Sequence, residues 1–422
     1  MFDFVLPLLY VFLFGNIILR TRFFKNGPGT KFLLSIFITK CLLSVIYWEL
    51  HVSEYGGGDS FFYFLDGEII GNKMAGEQWK YLQLTFGPNG GEIPSNIAPE
   101  IELMGYWTDT SDYMVVRFNA FVYPFSFGNP YVHGIFMSFL SLSGLLALYK
   151  GVSQFSLHNK QLLKVAIFGI PSVLFWTSGL HKEGLLIFAL GWFFYAIFSM
   201  GSGKLNWKYI NLAIVSSLFV YLIRDFVFFL LLPGLVAYLL SKRFPKYTLP
   251  INLAVYLSTA IIGAQLYILP GGINYLQLIA QKQAAFKALT GGNTTIELHD
   301  FEPNLLHMAV YAPEAFFNVI IKPVAVGFTP ISHFLIVIEN LFFLLMIVTA
   351  LLFLDYKRFK VHPAMIWFKL YGLSLVILTG FIVPNIGAIV RYRSIALPFL
   401  LVPLFFHCKS DLLLFFKKIA IR

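Results

Sequence analysis

Three ionisable residues in a row, His181-Lys182-Glu183, join two apolar stretches of the chain. Charged side chains at bilayer depth cost several kcal/mol or more, so such a triplet predicts either a membrane surface or a polar site. One interpretation is a solvated helix cap, because charged residues near helix ends interact with the helix dipole. The other is a functional site, in which Lys182 and Glu183 are the strongest candidates.

Further polar residues stand where apolar stretches end, and the topology predicted below sends them to the same membrane face. They are Asp59 and Asp66 after the second stretch, Arg224 and Asp225 between two later stretches, and Asn385, Arg391 and Arg393 before the last one. Arginine is normally depleted from the outer face of a membrane. These residues therefore predict a shared anionic ligand there, although Arg224 could instead pair with Asp225.

The residue types suggest separate roles. Guanidinium groups make bidentate contacts with phosphate and are more easily desolvated than ammonium groups, so we predict that Arg391 and Arg393 bind a diphosphate. Asp59 follows three glycines and is either a turn residue or a catalytic or metal-binding carboxylate; Asp66 has the same alternatives. We expect Glu183 to be a second acid or an orienting partner.

The composition identifies the kind of protein that must position these residues. Hydrophobic residues make up 58% of the 422 residues and charged residues only 12%, against about 25% charged in ordinary globular domains. A membrane-spanning helix needs about 20 apolar residues. Eleven apolar stretches predict an all-α, polytopic integral membrane helix bundle, organised as one transmembrane domain over 1–422, and they lie at 3–19, 32–48, 131–149, 162–178, 184–200, 209–223, 226–241, 250–268, 331–354, 364–383 and 394–408.

The distribution of Lys and Arg orients this bundle. Most basic residues fall in alternate connections, which by the positive-inside rule are cytoplasmic. This accounts for the net charge of +10 without a nucleic-acid partner. The C-terminus is then cytoplasmic and the N-terminus outside, and two long connections, 49–130 and 269–330, are extracytoplasmic. We predict one or two short helices over 60–84 and another helix near 274–289. The residues of 60–84 available to lie along the membrane interface are Phe61, Phe62, Phe64, Ile69, Ile70, Trp79, Tyr81 and Leu82.

Several short motifs together resemble a known group of proteins. They are Gly58-Asp59-Ser60 with Tyr63, the run from Pro171 through Glu183, Ile223-Arg224-Asp225, Ile338-Glu339-Asn340-Leu341, and Asn385 through Arg391-Tyr392-Arg393. In this layout the chain resembles the polytopic proteins of bacterial surface-polysaccharide biosynthesis, that is, GT-C glycosyltransferases and O-antigen polymerases. GT-C enzymes usually reach their first outer loop after one helix, whereas two apolar stretches precede it here.

The resemblance implies an enzyme of the bacterial cytoplasmic (inner) membrane that transfers a sugar or glycan from a polyprenyl-phosphate or polyprenyl-diphosphate carrier on the outer face. Asp59 matches the GT-C catalytic base or metal ligand, for which the expected ion is Mg²⁺ or Mn²⁺. The expected substrate- and phosphate-binding residues are His181, Lys182, Arg224, Asn385, Arg391 and Arg393. Membrane lipids and envelope-biosynthesis proteins are the other expected partners.

Two other classes of function stay open. A transporter or flippase for a lipid-linked glycan would have polar residues along a path to both faces, whereas the polar residues here cluster on one face. A non-catalytic membrane subunit would use its outer loops to dock an envelope complex. The clustering favours the enzyme.

Overall fold

A computed structural model describes residues 2–53, 56–155, 160–200, 206–268, 272–288, 294–326, 331–355 and 361–409. Within these ranges the chain is helical and forms no strand. The α-helices, in chain order, are α1 Phe2–Arg20, α2 Arg22–Lys25, α3 Thr30–Ser53, α4 Gly58–Gly71, α5 Gln78–Phe86, α6 Ala98–Ile101, α7 Thr110–Ser126, α8 Pro130–Ser153, α9 Lys160–Phe168, α10 Pro171–Trp176, α11 Lys182–Ser199, α12 Trp207–Ile223, α13 Asp225–Arg243, α14 Thr248–Gln265, α15 Tyr275–Ala288, α16 Leu305–Ile320, α17 Ile331–Leu352, α18 Pro363–Ile382 and α19 Ile386–Phe406.

Eight helices in the described ranges are long and apolar enough to cross a membrane: α3, α8, α11, α13, α14, α17, α18 and α19. Two more of the predicted stretches form the shorter apolar helices α1 and α12. The stretch predicted over 162–178 is not one helix, because it is interrupted between Phe168 and Pro171 to give α9 and α10. Proline has no backbone N–H to donate to the preceding turn, but it is well suited to the first position of a helix. The chain is therefore a helical membrane protein, and eleven crossings stay a prediction.

The chain divides into two compact units. The first comprises Met1–Ser156, Ile167–Gly169 and Val173–Phe226, and the second comprises Leu157–Ala166, Ile170–Ser172 and Val227–Arg422. The single-domain organisation expected over 1–422 stays a prediction.

In the first unit, α8 and α11 approach each other at glycines. A Cβ atom added to Gly191 would lie 1.9 Å from the carbonyl oxygen of Gly144, so the two backbones are in direct contact. Small residues permit such close approach of membrane helices. This contact fixes α11, whose first residues are Lys182 and Glu183.

The long connection 49–130, also in the first unit, is folded into helices. The helices predicted over 60–84 are confirmed as α4 and α5. Of the aromatic and aliphatic residues expected along the membrane interface, Phe62, Trp79 and Leu82 are exposed. The same expectation is wrong for Phe64, Ile70 and Tyr81, which are buried in the unit. These helices are amphipathic, so they place one face against the rest of the fold.

In the second unit the helix expected near 274–289 is α15, and α16 follows it. The last helix begins earlier than predicted. Asn385 is its N-cap and accepts a hydrogen bond from the Ala388 N–H at 3.1 Å. Arg391 and Arg393 therefore lie inside α19, and the prediction that they precede the last helix is wrong. Because Arg391-Tyr392-Arg393 is polar, the sequence predicts that the last apolar helix begins only after it.

Candidate active site

Five of the predicted site residues lie in the first unit, at the ends of three helices. His181 is the N-cap of α11, Lys182 and Glu183 form its first turn, Arg224 is the C-cap of α12, and Asp59 is in the first turn of α4. The start of α7 joins them, because the Ser111 hydroxyl donates to the Ile223 carbonyl at 2.6 Å. Segments far apart in sequence therefore meet at one end of this unit.

A buried ion pair lies at the centre of the cluster. Glu183 is fully buried, and its Oε1 accepts a hydrogen bond from Nη2 of Arg224 at 2.6 Å. Buried charges need a partner and hydrogen bonds, and this geometry supplies both. Arg224 therefore pairs with Glu183 across helices.

The second carboxylate oxygen of Glu183 contacts His181. Its Oε2 lies 2.7 Å from Nδ1 of the buried imidazole, an ion-pair contact when the imidazole is protonated. The Lys182 N–H donates to the same nitrogen at 3.0 Å and so caps the start of α11. We therefore assign Nδ1 of the neutral imidazole as the acceptor and the proton to Nε2.

The second ring nitrogen of His181, Nε2, is directed toward Asp59. Nε2 lies 3.9 Å from Oδ2 of Asp59, which is too far for a direct hydrogen bond. Oδ1 of Asp59 accepts from the Tyr106 hydroxyl at 3.1 Å. Burial, followed by the charge of Asp59, raises the pKa of Tyr106, which keeps this phenol a donor. With its side chain 53% exposed, Asp59 is the accessible carboxylate of the cluster.

Asp66 lies deeper in the first unit, 3% exposed. Its two oxygens accept from the backbone N–H groups of Gly105 at 3.3 Å and Tyr106 at 3.0 Å. Burial raises the pKa of Asp66, and these two hydrogen bonds oppose the rise. Asp66 thus fixes the backbone that carries the Tyr106 hydroxyl to Asp59. Its contacts are those of a positioning residue, and its predicted catalytic role stays a prediction.

Lys182 is paired with a carboxylate that sequence reasoning missed. Its Nζ lies 2.8 Å from Oδ1 of Asp112, which also accepts from the Tyr63 hydroxyl. Burial and the charge of Asp112 raise the pKa of Tyr63. The Lys182 and Asp112 side chains are only 15% and 18% exposed. Asp112 and Tyr106 gave no sequence signal, because each stands in an ordinary polar stretch of the first long connection.

The remaining predicted residues, Asn385, Arg391 and Arg393, lie in the second unit. Arg393 is fully buried and donates through Nη1 to the Val319 carbonyl at 3.1 Å and to Oδ1 of Asn340. Asn340 is held in turn by a hydrogen bond to the Ile320 carbonyl. Arg393 thus holds α16, α17 and α19 together, and the Asn385 side chain caps its helix. Binding of phosphate by these residues stays a prediction.

The metal prediction can be compared with the available donors. Among the residues that the structure describes, no three His, Cys, Asp or Glu side chains are grouped to hold a metal ion. Asp59 as a ligand of Mg²⁺ or Mn²⁺ therefore stays a prediction, and no reaction step below depends on a metal.

The cluster is suited to moving a proton. The cluster contains three carboxylates, Asp59, Asp112 and Glu183, and two positively charged side chains, Lys182 and Arg224. A proton taken up here neutralises the excess charge, and an imidazole oriented by a buried carboxylate is a usual proton acceptor in enzymes. Comparisons of the chain with protein families, curated proteins and solved structures gave no match.

Proposed function

We propose that this helical membrane protein is a glycosyltransferase or polysaccharide polymerase that takes a sugar or glycan from a polyprenyl-phosphate or polyprenyl-diphosphate carrier. The supporting observation is the contact chain Asp59, His181, Glu183, Arg224, in which an exposed carboxylate adjoins a buried, oriented imidazole. The proposed site faces the extracytoplasmic side, following the distribution of basic residues.

In the proposed reaction, Asp59 accepts the proton of the acceptor hydroxyl. The hydroxyl oxygen forms a bond to the anomeric carbon, and the bond from that carbon to the carrier's phosphate oxygen breaks. The electron pair of the broken bond leaves on the phosphate. The imidazole of His181 faces Asp59 through Nε2, and its Nδ1 contacts Glu183, so His181 lies between the two carboxylates.

The leaving phosphate needs positive charge nearby. Lys182 is the better placed of the two cations in the cluster, because its side chain is 15% exposed whereas that of Arg224 is 7% exposed. To bind the carrier, Lys182 exchanges Asp112 for the phosphate. Arg224 acts through Glu183 as a positioning residue.

One observation favours a second candidate function. Lys182 and Arg224 both form ion pairs with acids of the chain itself. In a non-catalytic membrane subunit of an envelope complex, such pairs would serve only to hold the helix ends together. The enzyme and the subunit differ in whether Asp59 and His181 are needed once the protein is folded.

The test uses cells that lack the chain, with untargeted mass spectrometry of their polyprenyl-linked glycans. We expect a lipid-linked glycan to accumulate and wild-type protein to remove it. Asp59→Asn should fail to remove it although the protein reaches the membrane, and the exposed Asp225→Asn is the matched control. A glycan that accumulates only on the inner face would indicate a flippase instead. Complementation by Asp59→Asn and by His181→Gln would indicate the non-catalytic subunit.

A further inference from the structure

Helix α3, in the first unit, carries a polar stripe although most of its surface is apolar. Four polar residues, spaced by four, three and four positions, lie on a single helical face. They are Lys40, Ser44, Tyr47 and His51. Other positions of the helix, Ile38, Leu42 and Ile46, expose apolar side chains. Polar and ionisable side chains within a membrane helix are costly, so the contacts of this stripe indicate what it serves.

Lys40, near the middle of α3, holds the segment that leads to His181. Lys40 is fully buried, and its Nζ donates to the Thr177 hydroxyl at 2.6 Å and to the Leu174 carbonyl at 3.4 Å. Leu174 lies in the last turn of α10, where carbonyl groups interact favourably with a cation. Lys40 therefore ties the end of α10 to α3, four residues before His181.

Tyr47 meets the same segment two turns further along α3. Its side chain is 1% exposed, and the backbone of Gly179 lies directly against its ring. A Cβ atom at Gly179 would lie 2.5 Å from two ring carbons, so a larger residue fits there only if the ring moves. The ring also stacks on the His51 imidazole, with centroids 3.9 Å apart. The position of Tyr47 therefore fixes the backbone two residues before His181.

The hydroxyl of Tyr47 contacts the other half of the candidate active site. It lies 3.0 Å from the Ser60 hydroxyl, and either oxygen can donate. Ser60 is fully buried and directly follows Asp59 in the first turn of α4. Three successive glycines with positive φ, residues 56–58, turn the chain just before Asp59. Asp59 is thus held close to α3 by the hydrogen bond of its neighbour Ser60.

We propose that Tyr47 is a positioning residue that sets the distance between Asp59 and His181. Nε2 of His181 and Oδ2 of Asp59 are 3.9 Å apart, so a small displacement of either segment changes their interaction. A shift of the Tyr47 ring moves Gly179 and Ser60, and with them the imidazole and the carboxylate. The effect on the reaction rests on the proposed function, whereas the structural link between the two segments does not.

The first test measures backbone hydrogen exchange by mass spectrometry, with the full chain in lipid nanodiscs. Ser60→Ala removes a hydroxyl from α4, yet residues 179–184 should also exchange about twofold to tenfold faster, because the Tyr47 ring loses the hydrogen bond that anchors it. Tyr47→Phe should act in the same way on both segments. Ser60→Ala should add nothing to Tyr47→Phe, since the two substitutions break the same hydrogen bond.

The matched control is Tyr81→Phe. The Tyr81 hydroxyl donates to the Ala120 carbonyl at 3.4 Å in the same unit, so this variant also loses a buried phenol hydrogen bond. Tyr81→Phe should leave the exchange of residues 179–184 as in wild type. Unchanged exchange of these residues in both Ser60→Ala and Tyr47→Phe would overturn the proposal, as would the same acceleration in Tyr81→Phe.

The second test measures conversion of polyprenyl-linked glycans by the same variants. Misplacement of reacting groups by about 1 Å can cost about 100-fold in rate. We therefore expect Tyr47→Phe to lower kcat about tenfold or more and to leave KM within about twofold of the wild-type value. In Asp59→Asn, Tyr47→Phe should cause no further loss, because Tyr47 acts through Asp59.

A residue that only supports the fold would lower the activity of wild type and of Asp59→Asn by the same factor, and this result would overturn the proposal. If wild-type protein converts no glycan, the proposed function fails by itself. The exchange experiment then still decides whether Tyr47 links the segments of Asp59 and His181, so the two failures are distinguishable.

Discussion

The buried pair of Glu183 and Arg224 gives the most specific stability prediction. With an effective dielectric constant of about 20, two unit charges about 4 Å apart attract by about 4 kcal/mol. Removing one partner of a buried pair costs about 3–5 kcal/mol, because the other charge is left uncompensated. Glu183 is fully buried and Arg224 nearly so, hence solvent screens the pair little. We therefore expect Arg224→Met to destabilise the first unit by about 3–5 kcal/mol.

Removing both charges together should cost much less. Replacement of a whole buried ion pair by uncharged side chains is often close to neutral. The double variant Glu183→Gln/Arg224→Met should therefore be more stable than Arg224→Met alone, and the two substitutions should show strong coupling in a double-mutant cycle. Arg22→Met is the control, because Arg22 is exposed, and surface substitutions usually change stability by less than about 0.5 kcal/mol.

The assay can use the chain's own cysteines. Cys41 is buried in the first unit and Cys408 in the second. In a Cys408→Ser background, a thiol-reactive fluorophore reports the opening of the first unit through Cys41. The reasoning is refuted if Arg224→Met opens at the same denaturant concentration or temperature as Arg22→Met, or if the double variant is no more stable than Arg224→Met.

Two further predictions concern particular contacts. Burial places the folded-state pKa of Asp66 above its unfolded value. Its contribution to stability should therefore be fully present below about pH 4 and fall as the pH rises through the folded-state pKa. Thermal unfolding across pH should show this slope in wild type and lose it in Asp66→Asn, and an unchanged slope in the variant would contradict the prediction. Gly380→Ala would place its Cβ 2.0 Å from the Ala315 carbonyl oxygen and should destabilise the second unit by about 1–3 kcal/mol or more. The control is Gly263→Ala in helix α14, whose added Cβ meets nothing within 4 Å and should stabilise the second unit by about 0.5–1 kcal/mol. Equal effects of Gly380→Ala and Gly263→Ala in an unfolding assay would show that the contact between α16 and α18 is not as described.

The helices themselves could be predicted from the sequence, because a membrane-crossing helix depends on the length and polarity of one continuous stretch. The start of α8 was predicted at residue 131 and observed at Pro130, and α18 was predicted at 364 and begins at Pro363. The predictions that failed depend on single residues. Pro171 breaks an apolar stretch into two helices, and Asn385 starts α19 before its arginines.

The contacts of the site could be predicted only in part. Adjacent charges such as His181-Lys182-Glu183 stand out in an apolar context, and Glu183 contacts His181. Its role as a second acid or an orienting partner stays a prediction. The partners of Asp66 and Arg393 lie 39 to 74 residues away and include backbone groups, which have no sequence signature. A buried polar residue is visible in a sequence, but whether it serves a ligand or the fold depends on tertiary contacts.

The most direct test of the proposed function is conversion of the chain's own substrate in a purified system. Polyprenyl-linked glycans extracted from cells lacking the chain are mixed with the protein in nanodiscs, and mass spectrometry follows the carrier and the glycan. We predict that wild-type protein releases free polyprenyl phosphate or diphosphate and forms a glycosylated product. Asp59→Asn should be slower by about 100-fold or more, as expected for loss of a general base. No conversion by wild-type protein, or equal conversion by Asp59→Asn, would contradict the account.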